Sequence, residues 1–119
     1  HLALNGKTGN SQAKNRLLQR RTIEGNLRNE YYQKITPVNK QIASIEDEVS
    51  KLTDRLTKVE ELLANPEHYK DSQQVVGTNR EYRKLKKDIN LFTSQWDNLT
   101  AEAEQIDQEF QQARDNVEI

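Results

Sequence analysis

The densest cluster of charge in the sequence is the octet Arg80-Glu81-Tyr82-Arg83-Lys84-Leu85-Lys86-Lys87, five cations with one carboxylate. Cations at this spacing along a helix suit one kind of chemistry above others: neutralising successive phosphates of a nucleic-acid backbone and releasing the counterions condensed on it. A solvated helix face laced with i to i+4 ion pairs uses the same residue types, and both readings stand at this point. Catalysis has far less to work with. His1 and His68 each stand alone, whereas a nucleophile-base pair or a metal site needs several such groups converging in a pocket. His68 is expected to be a polar residue at a turn. There is no cysteine, so neither a disulfide framework nor a thiolate metal site can form. Gly6-Lys7-Thr8 has the ending of a phosphate-binding loop, but the slot five residues earlier, where such a loop needs glycine, is His1. That segment reads as linker, and no catalytic, metal-ligating or cofactor-binding residue is expected in the chain.

The elements that must carry the octet follow from apolar spacing. Ile35, Val38, Ile42, Ile45, Val49, Leu52, Leu56, Val59 and Leu63 alternate steps of three and four without a miss. The pattern resumes at Val75, Thr78, Tyr82, Leu85, Ile89, Phe92, Trp96, Leu99, Ala103, Ile106, Phe110, Ala113 and Val117, with Thr78 the single polar member. Each is a heptad a/d seam, narrower than the apolar stripe of a globular helix. Between them lies 62-LLANPEHYKDSQ-73. Pro66 has no amide donor and disfavours helical geometry at Asn65, so the first helix is expected to end near Ala64. Asn65-Pro66 can open a single turn, and Asp71 with Gln74 makes a capping-box-like start for the second helix. The expected fold is all-α: two long helices forming an antiparallel coiled-coil hairpin, with a short one-turn helix or loop at the tip, about residues 65–72. The expected spans are a flexible linker over 1–11, helix 1 over about 12–64 and helix 2 over about 73–116, within a hairpin of 12–119. Pro37 falls on the outer face, and the seam continues through it, so it is expected to bend the first helix without ending it.

A short connection favours antiparallel neighbours, and residue i then lies near residue ~138 − i. By this rule Trp96 and Phe92 meet Ile42 and Ile45, and Phe110 meets Leu27 and Tyr31. Arg80, Arg83, Lys84 and Lys87 point outward, and Lys51, Arg55 and Lys58 of the first helix come to the same end. Across 51–58 and 80–88 there are eight cations against Asp54, Glu81 and Asp88, a patch of +5. The candidate nucleic-acid-binding residues are therefore Arg80, Arg83, Lys84, Lys86, Lys87, Lys51, Arg55 and Lys58. A second basic stretch, Lys14, Arg16, Arg20, Arg21 and Arg28, is expected beside the acidic end of the second helix, Glu102, Glu104, Asp107, Glu109, Asp115 and Glu118, neutralising it and fixing the register. N-terminal to Tyr31 the seam decays into Leu17, Leu18, Ile23 and Leu27, so that region is expected to be helical but less well packed.

Composition agrees. Of 119 residues 33% are apolar and 31% charged, too few apolar groups for a compact core of ordinary shape. No run approaches the ~18 apolar residues of a membrane span, and a cytoplasmic location is expected. The net charge of −1 conceals a balance of +6 over residues 1–40 and −7 over 41–119. The chain begins at His1 and contains no Met, so a piece of a longer polypeptide is expected. With the seams only partly covered, a marginally stable monomer is expected, and Trp96→Ala is expected to be the most damaging single change.

The run 20-RRTIEGNLRNEYYQKITPVNKQIASIEDEV-49, the turn 59-VEELLANPEHYKD-71, the stretch 82-YRKLKKDI-89 and Trp96 resemble the C-terminal coiled-coil domain of ABC-F proteins, paired-cassette ATPases of the translation machinery. The likeness covers roughly residues 20–108 and is most specific at Leu63 to Tyr69, which follows the family's Leu-Ala-(Asp/Asn)-Pro-Glu-x-Tyr turn. The resemblance implies a non-catalytic tail behind a second nucleotide-binding cassette, with ATP and Mg held by the parent chain. It also implies partners in nucleic acid, either DNA or ribosomal RNA, or the ribosome, and parent cassettes in cis. The slightly negative net charge departs from a dedicated nucleic-acid binder, so weak, salt-sensitive binding is expected of the isolated domain. Two other readings stand beside it. One is a structural spacer or dimerisation hairpin using the off-seam residues Leu18, Leu62, Val76 and Leu91. The other is a tRNA-binding arm of the synthetase kind, against which the Asn-Pro-Glu-x-Tyr turn argues.

Overall fold

The computed structural model describes residues 2–117, which form two helices, α1 (Leu2–Ala64) and α2 (Ser72–Asp115), joined by a 3-10 turn at Pro66–Lys70. No strand occurs among the described residues, and the expected antiparallel hairpin with a one-turn helix at its tip is the fold observed. α1 starts ten residues before the Gln12 expected from composition. Once a helix exists each added residue gains one hydrogen bond for one residue fixed, and Gly6 and Gly9 oppose that by only about 1 kcal/mol each. His1 lies outside the described residues. α1 also runs unbroken through Pro37, which is exposed, so the Gln33 carbonyl that loses its partner there sits on a helix face open to water.

Side chains close the tip. Asn65 Oδ1 accepts from the Glu67 amide at 3.1 Å, and Pro66 stands where a first-turn residue needs no donor. The Tyr69 hydroxyl donates to the Leu63 carbonyl at 2.6 Å, satisfying one of the orphan acceptors at the end of α1. Asp71 Oδ1 accepts from the amides of Gln73 and Gln74 at 3.0 and 3.3 Å, the cap that starts α2. His68 does more than an exposed polar turn residue would. Its Nε2 lies 2.8 Å from Thr78 Oγ1, whose own proton goes to the Gln74 carbonyl at 2.9 Å. The imidazole is therefore the donor, and the one polar member of the second seam is satisfied by the turn folding over it.

The chain divides into two units, Val38–Glu102 and a second made of His1–Pro37 with Ala103–Ile119. In the first, Val38, Val59 and Leu85 are buried at 6%, 0% and 7% exposure, and the other seam residues are half-buried except Trp96. Trp96 corrects an expectation. It is 37% exposed and lines a shallow recess with Glu46, Val49 and Ser50, about one helical turn nearer the tip than the expected Ile42 and Ile45. The seam between two helices has no third wall, so an indole at an a position overhangs its edge while smaller Val59 and Leu85 fit inside. In the second unit Ile35 is buried. The Tyr31 and Phe110 rings stack 4.6 Å apart, and both line a recess with Leu27 and Ile106, as the pairing rule expects. The Tyr31 hydroxyl donates to Asp107 Oδ1 at 2.6 Å, a bond that raises the phenol pKa, partial burial adding to it.

These burials bring the two residues level in expected sensitivity, because the larger indole is 37% exposed and Leu85 only 7%. Leu85→Ala is expected to lower unfolding stability by about 2–3 kcal/mol through lost burial and a residual cavity, and Trp96→Ala by a similar amount through lost area. Urea denaturation of the two variants checks this. A larger loss for Trp96→Ala would mean the indole is covered in solution.

Candidate nucleic-acid interface

All eight basic residues singled out from the sequence are exposed on the unit Val38–Glu102, but they are not equivalent. Arg80, Arg83, Lys84 and Lys87 recur at i, i+3, i+4 and i+7, so they form one stripe along a single face of α2. None of the four has a carboxylate within ion-pair distance among the described residues, and neither does Lys58 of α1. Their donors face water.

The other three are engaged. Arg55 and Glu81 both flank the seam at g positions, and the antiparallel register brings them together across it. Arg55 Nε donates to Glu81 Oε1 at 2.5 Å and Nη2 to Oε2 at 3.0 Å, a bidentate pair. Hydrogen bonding to Arg55 holds the Glu81 carboxyl below the usual carboxylate range, with the arginine charge adding and partial burial opposing. Lys51 pairs with Asp47 one turn back at 3.1 Å. Its pKa is raised, chiefly by that hydrogen bond and then by the charges of Asp47 and Glu48. Lys86 folds over the Tyr82 ring, Nζ 5.2 Å from the centroid and 3.3 Å from the hydroxyl, a cation-π contact that spends the charge locally. Sequence reasoning grouped these three with the free cations. It had a signal for each of them, since Lys51 follows Asp47 and Lys86 follows Tyr82 by four residues, and the pairing rule puts Arg55 level with about residue 83, within reach of Glu81.

The second basic stretch does not meet the acidic end of α2. The only ion pair it makes among the described residues is Arg20 with Glu24 on the same helix, at 3.3 Å. The reason is register. Tyr31 faces Asp107, so α2 ends at Asp115 about level with Ile23, and Lys14, Arg16, Arg20 and Arg21 lie beyond it. Every residue from Asn10 to Thr22 is exposed, and burial begins at Ile23.

A protein-family model described as the ABC transporter C-terminal domain matches residues 38–101, just over half of the 119 residues. The chain belongs to the ABC transporter C-terminal domain family. Neither a curated protein nor a solved structure matches it significantly. The matched span is nearly coextensive with the unit Val38–Glu102, so the ABC transporter C-terminal domain here is the tip-bearing hairpin segment, and the basic stripe of α2 lies wholly within it. This makes the chain an accessory domain of an ABC protein, with cassettes in cis as its natural neighbours. Among the described residues no helix is long and apolar enough to cross a membrane, and no group of three or more His, Cys, Asp or Glu stands where it could hold a metal ion.

The Arg55–Glu81 pair gives a pH test of the register. A carboxylate whose pKa is depressed by folding adds stability above its unfolded value, near ~4.3, and loses that contribution as pH falls through the lower folded value. Glu81→Gln is therefore expected to flatten the acid limb of a stability-against-pH profile below about pH 4.3, as followed by urea melts. An unchanged acid limb would mean the pair is not formed in solution.

Proposed function

We propose that this chain is the C-terminal arm of an ABC-F ATPase and that it acts without catalysis of its own, by laying the Arg80, Arg83, Lys84 and Lys87 stripe against the phosphate backbone of a nucleic acid, ribosomal RNA in the bound ribosome being the natural substrate for a translation-associated parent. The observation that carries the reading is the stripe itself: four exposed cations at one helix face, without carboxylate partners among the described residues, on the unit that the family match covers. Lys58 extends the same charge onto α1. The Leu63–Tyr69 turn supports the ABC-F assignment, since it follows that subfamily's pattern and its Asn65 and Tyr69 do the structural work of closing the tip. ATP and Mg belong in this reading to the parent's cassettes.

Contacts of this type make affinity depend on salt in a countable way. Four phosphates neutralised give a slope of log K against log salt of about −3 to −4, nearer −3 for a single strand. Fluorescence anisotropy of the domain against structured RNA, duplex DNA and single-stranded DNA over a salt series is the test. Replacing Arg80, Arg83, Lys84 and Lys87 by Glu is expected to abolish binding with helical content unchanged, while Lys86→Glu alone has a small effect because that charge already rests on Tyr82. Absence of binding at low salt, or equal losses from Lys86→Glu and the fourfold variant, would sink the proposal and leave the spacer reading.

A further inference from the structure

Among the described residues of α2, two large apolar side chains stand off the seam, Val76 and Leu91, and they are 57% and 55% exposed. Both lie on the face of the basic stripe. At about 100° per residue Val76 falls about 40° from Arg80 around the helix and Leu91 about 20°. One turn separates Val76 from Arg80 at one end of the stripe, and one turn separates Lys87 from Leu91 at the other. The face therefore runs apolar, four cations, apolar, over about 22 Å of helix, with the cations in the middle, about 10 Å long. The nearest carboxylates, Glu81 and Asp88, occupy g positions beside the seam. Next to Val76 the backbone is bare, since a Cβ on Gly77 would meet nothing within 4 Å, so a planar group can lie close to the helix there.

Phosphate contact alone accounts for the cations and gives Val76 and Leu91 no role, because an apolar side chain gains nothing against a phosphate or the water beside it. A duplex offers little else along its outside, its bases being stacked within. An unpaired strand differs: its bases splay out beside the backbone, and each has an apolar face. A strand laid along α2 with its phosphates on Arg80, Arg83, Lys84 and Lys87 carries bases past both ends of the stripe, where Val76 and Leu91 stand to cover them. We infer that this face selects an unpaired segment of RNA over a paired one, the two apolar side chains packing on bases that flank the gripped phosphates. The inference rests on the phosphate reading proposed above and adds the form of nucleic acid that fits. The selection runs against electrostatics. A purely ionic stripe favours the duplex, which carries more charge per unit length and releases more counterions per contact.

Fluorescence anisotropy of the chain against three labelled RNAs at low salt tests it: a strand free of self-pairing, the duplex with its complement, and the same strand made abasic throughout. The unpaired strand is expected to bind at least about fivefold more tightly than either of the others. Val76→Gln with Leu91→Gln, a good helix former at two exposed positions, is expected to bring its affinity down to that of the abasic strand, with duplex affinity, salt dependence and circular dichroism unchanged. Val76→Ile with Leu91→Met is expected to keep the preference. Equal or tighter binding of the duplex, equal binding of the abasic strand, or a preference that survives in the glutamine variant overturns the inference and leaves the stripe as a plain phosphate site. Failure of all three RNAs to bind overturns both the inference and the reading on which it rests.

Discussion

Between Ala64 and Ser72 two helix ends leave backbone groups without intrahelical partners, and Asn65, Tyr69 and Asp71 supply what is missing. The same turn brings His68 onto Thr78, tying the tip to one particular level of α2. That anchoring matters because a heptad seam alone specifies register poorly: a slip of one heptad keeps every a and d position apolar. With the turn in place, the slip would break the imidazole–hydroxyl bond and leave a polar seam residue unsatisfied. Charge meets charge according to this register, Arg55 finding Glu81 across the seam, and the cations of the octet's outer face are left over by the same geometry.

A two-helix seam buries little. Among the described residues four apolar ones are buried, Ile35, Val38, Val59 and Leu85, and every larger one lies partly in water. Stability therefore rests on many half-covered side chains, none dominant, and on capping at the ends. The position of Trp96 illustrates the limit. An aromatic at an a position adds area without a wall to cover all of it, so size is a poor guide to depth of burial in this fold. Val59, among the smallest seam residues, is fully buried.

Much of the fold could be read from the chain: both seams, the break, the antiparallel sense, and even Tyr31 beside Asp107, which the pairing rule places opposite one another. The off-seam residues Leu18, Leu62, Val76 and Leu91 are exposed as their heptad positions imply. The site was readable only as a list of cations. Which of them are free depends on which neighbours they engage, Arg55 across the seam and Lys86 back over Tyr82, and spacing shows which partners lie within reach but not which are taken. The misplacement of Lys14, Arg16, Arg20 and Arg21 against α2 has a different cause. Counting charges by sequence block ignores that one helix outlasts the other, and the pairing rule, carried to the end of α2, already sets those residues beyond it.

The charge of the unit Val38–Glu102 bears on what kind of contact its stripe can make. That unit holds ten Lys/Arg against twelve Asp/Glu, a net −2, although the segments 51–58 and 80–88 within it carry +5. The remainder must then be about −7, spread over Glu46 to Glu48, Glu60, Glu61, the tip and the far end. At physiological salt a charge is felt over roughly 8 Å, so the acidic flanks do not cancel the stripe at its own surface but do cancel it at a distance. Such a unit has no long-range attraction for polyanions. On the proposed reading its cations grip phosphate at short range, unaided only at low salt, and a tether to a larger protein would supply the docking that the unit's net charge does not.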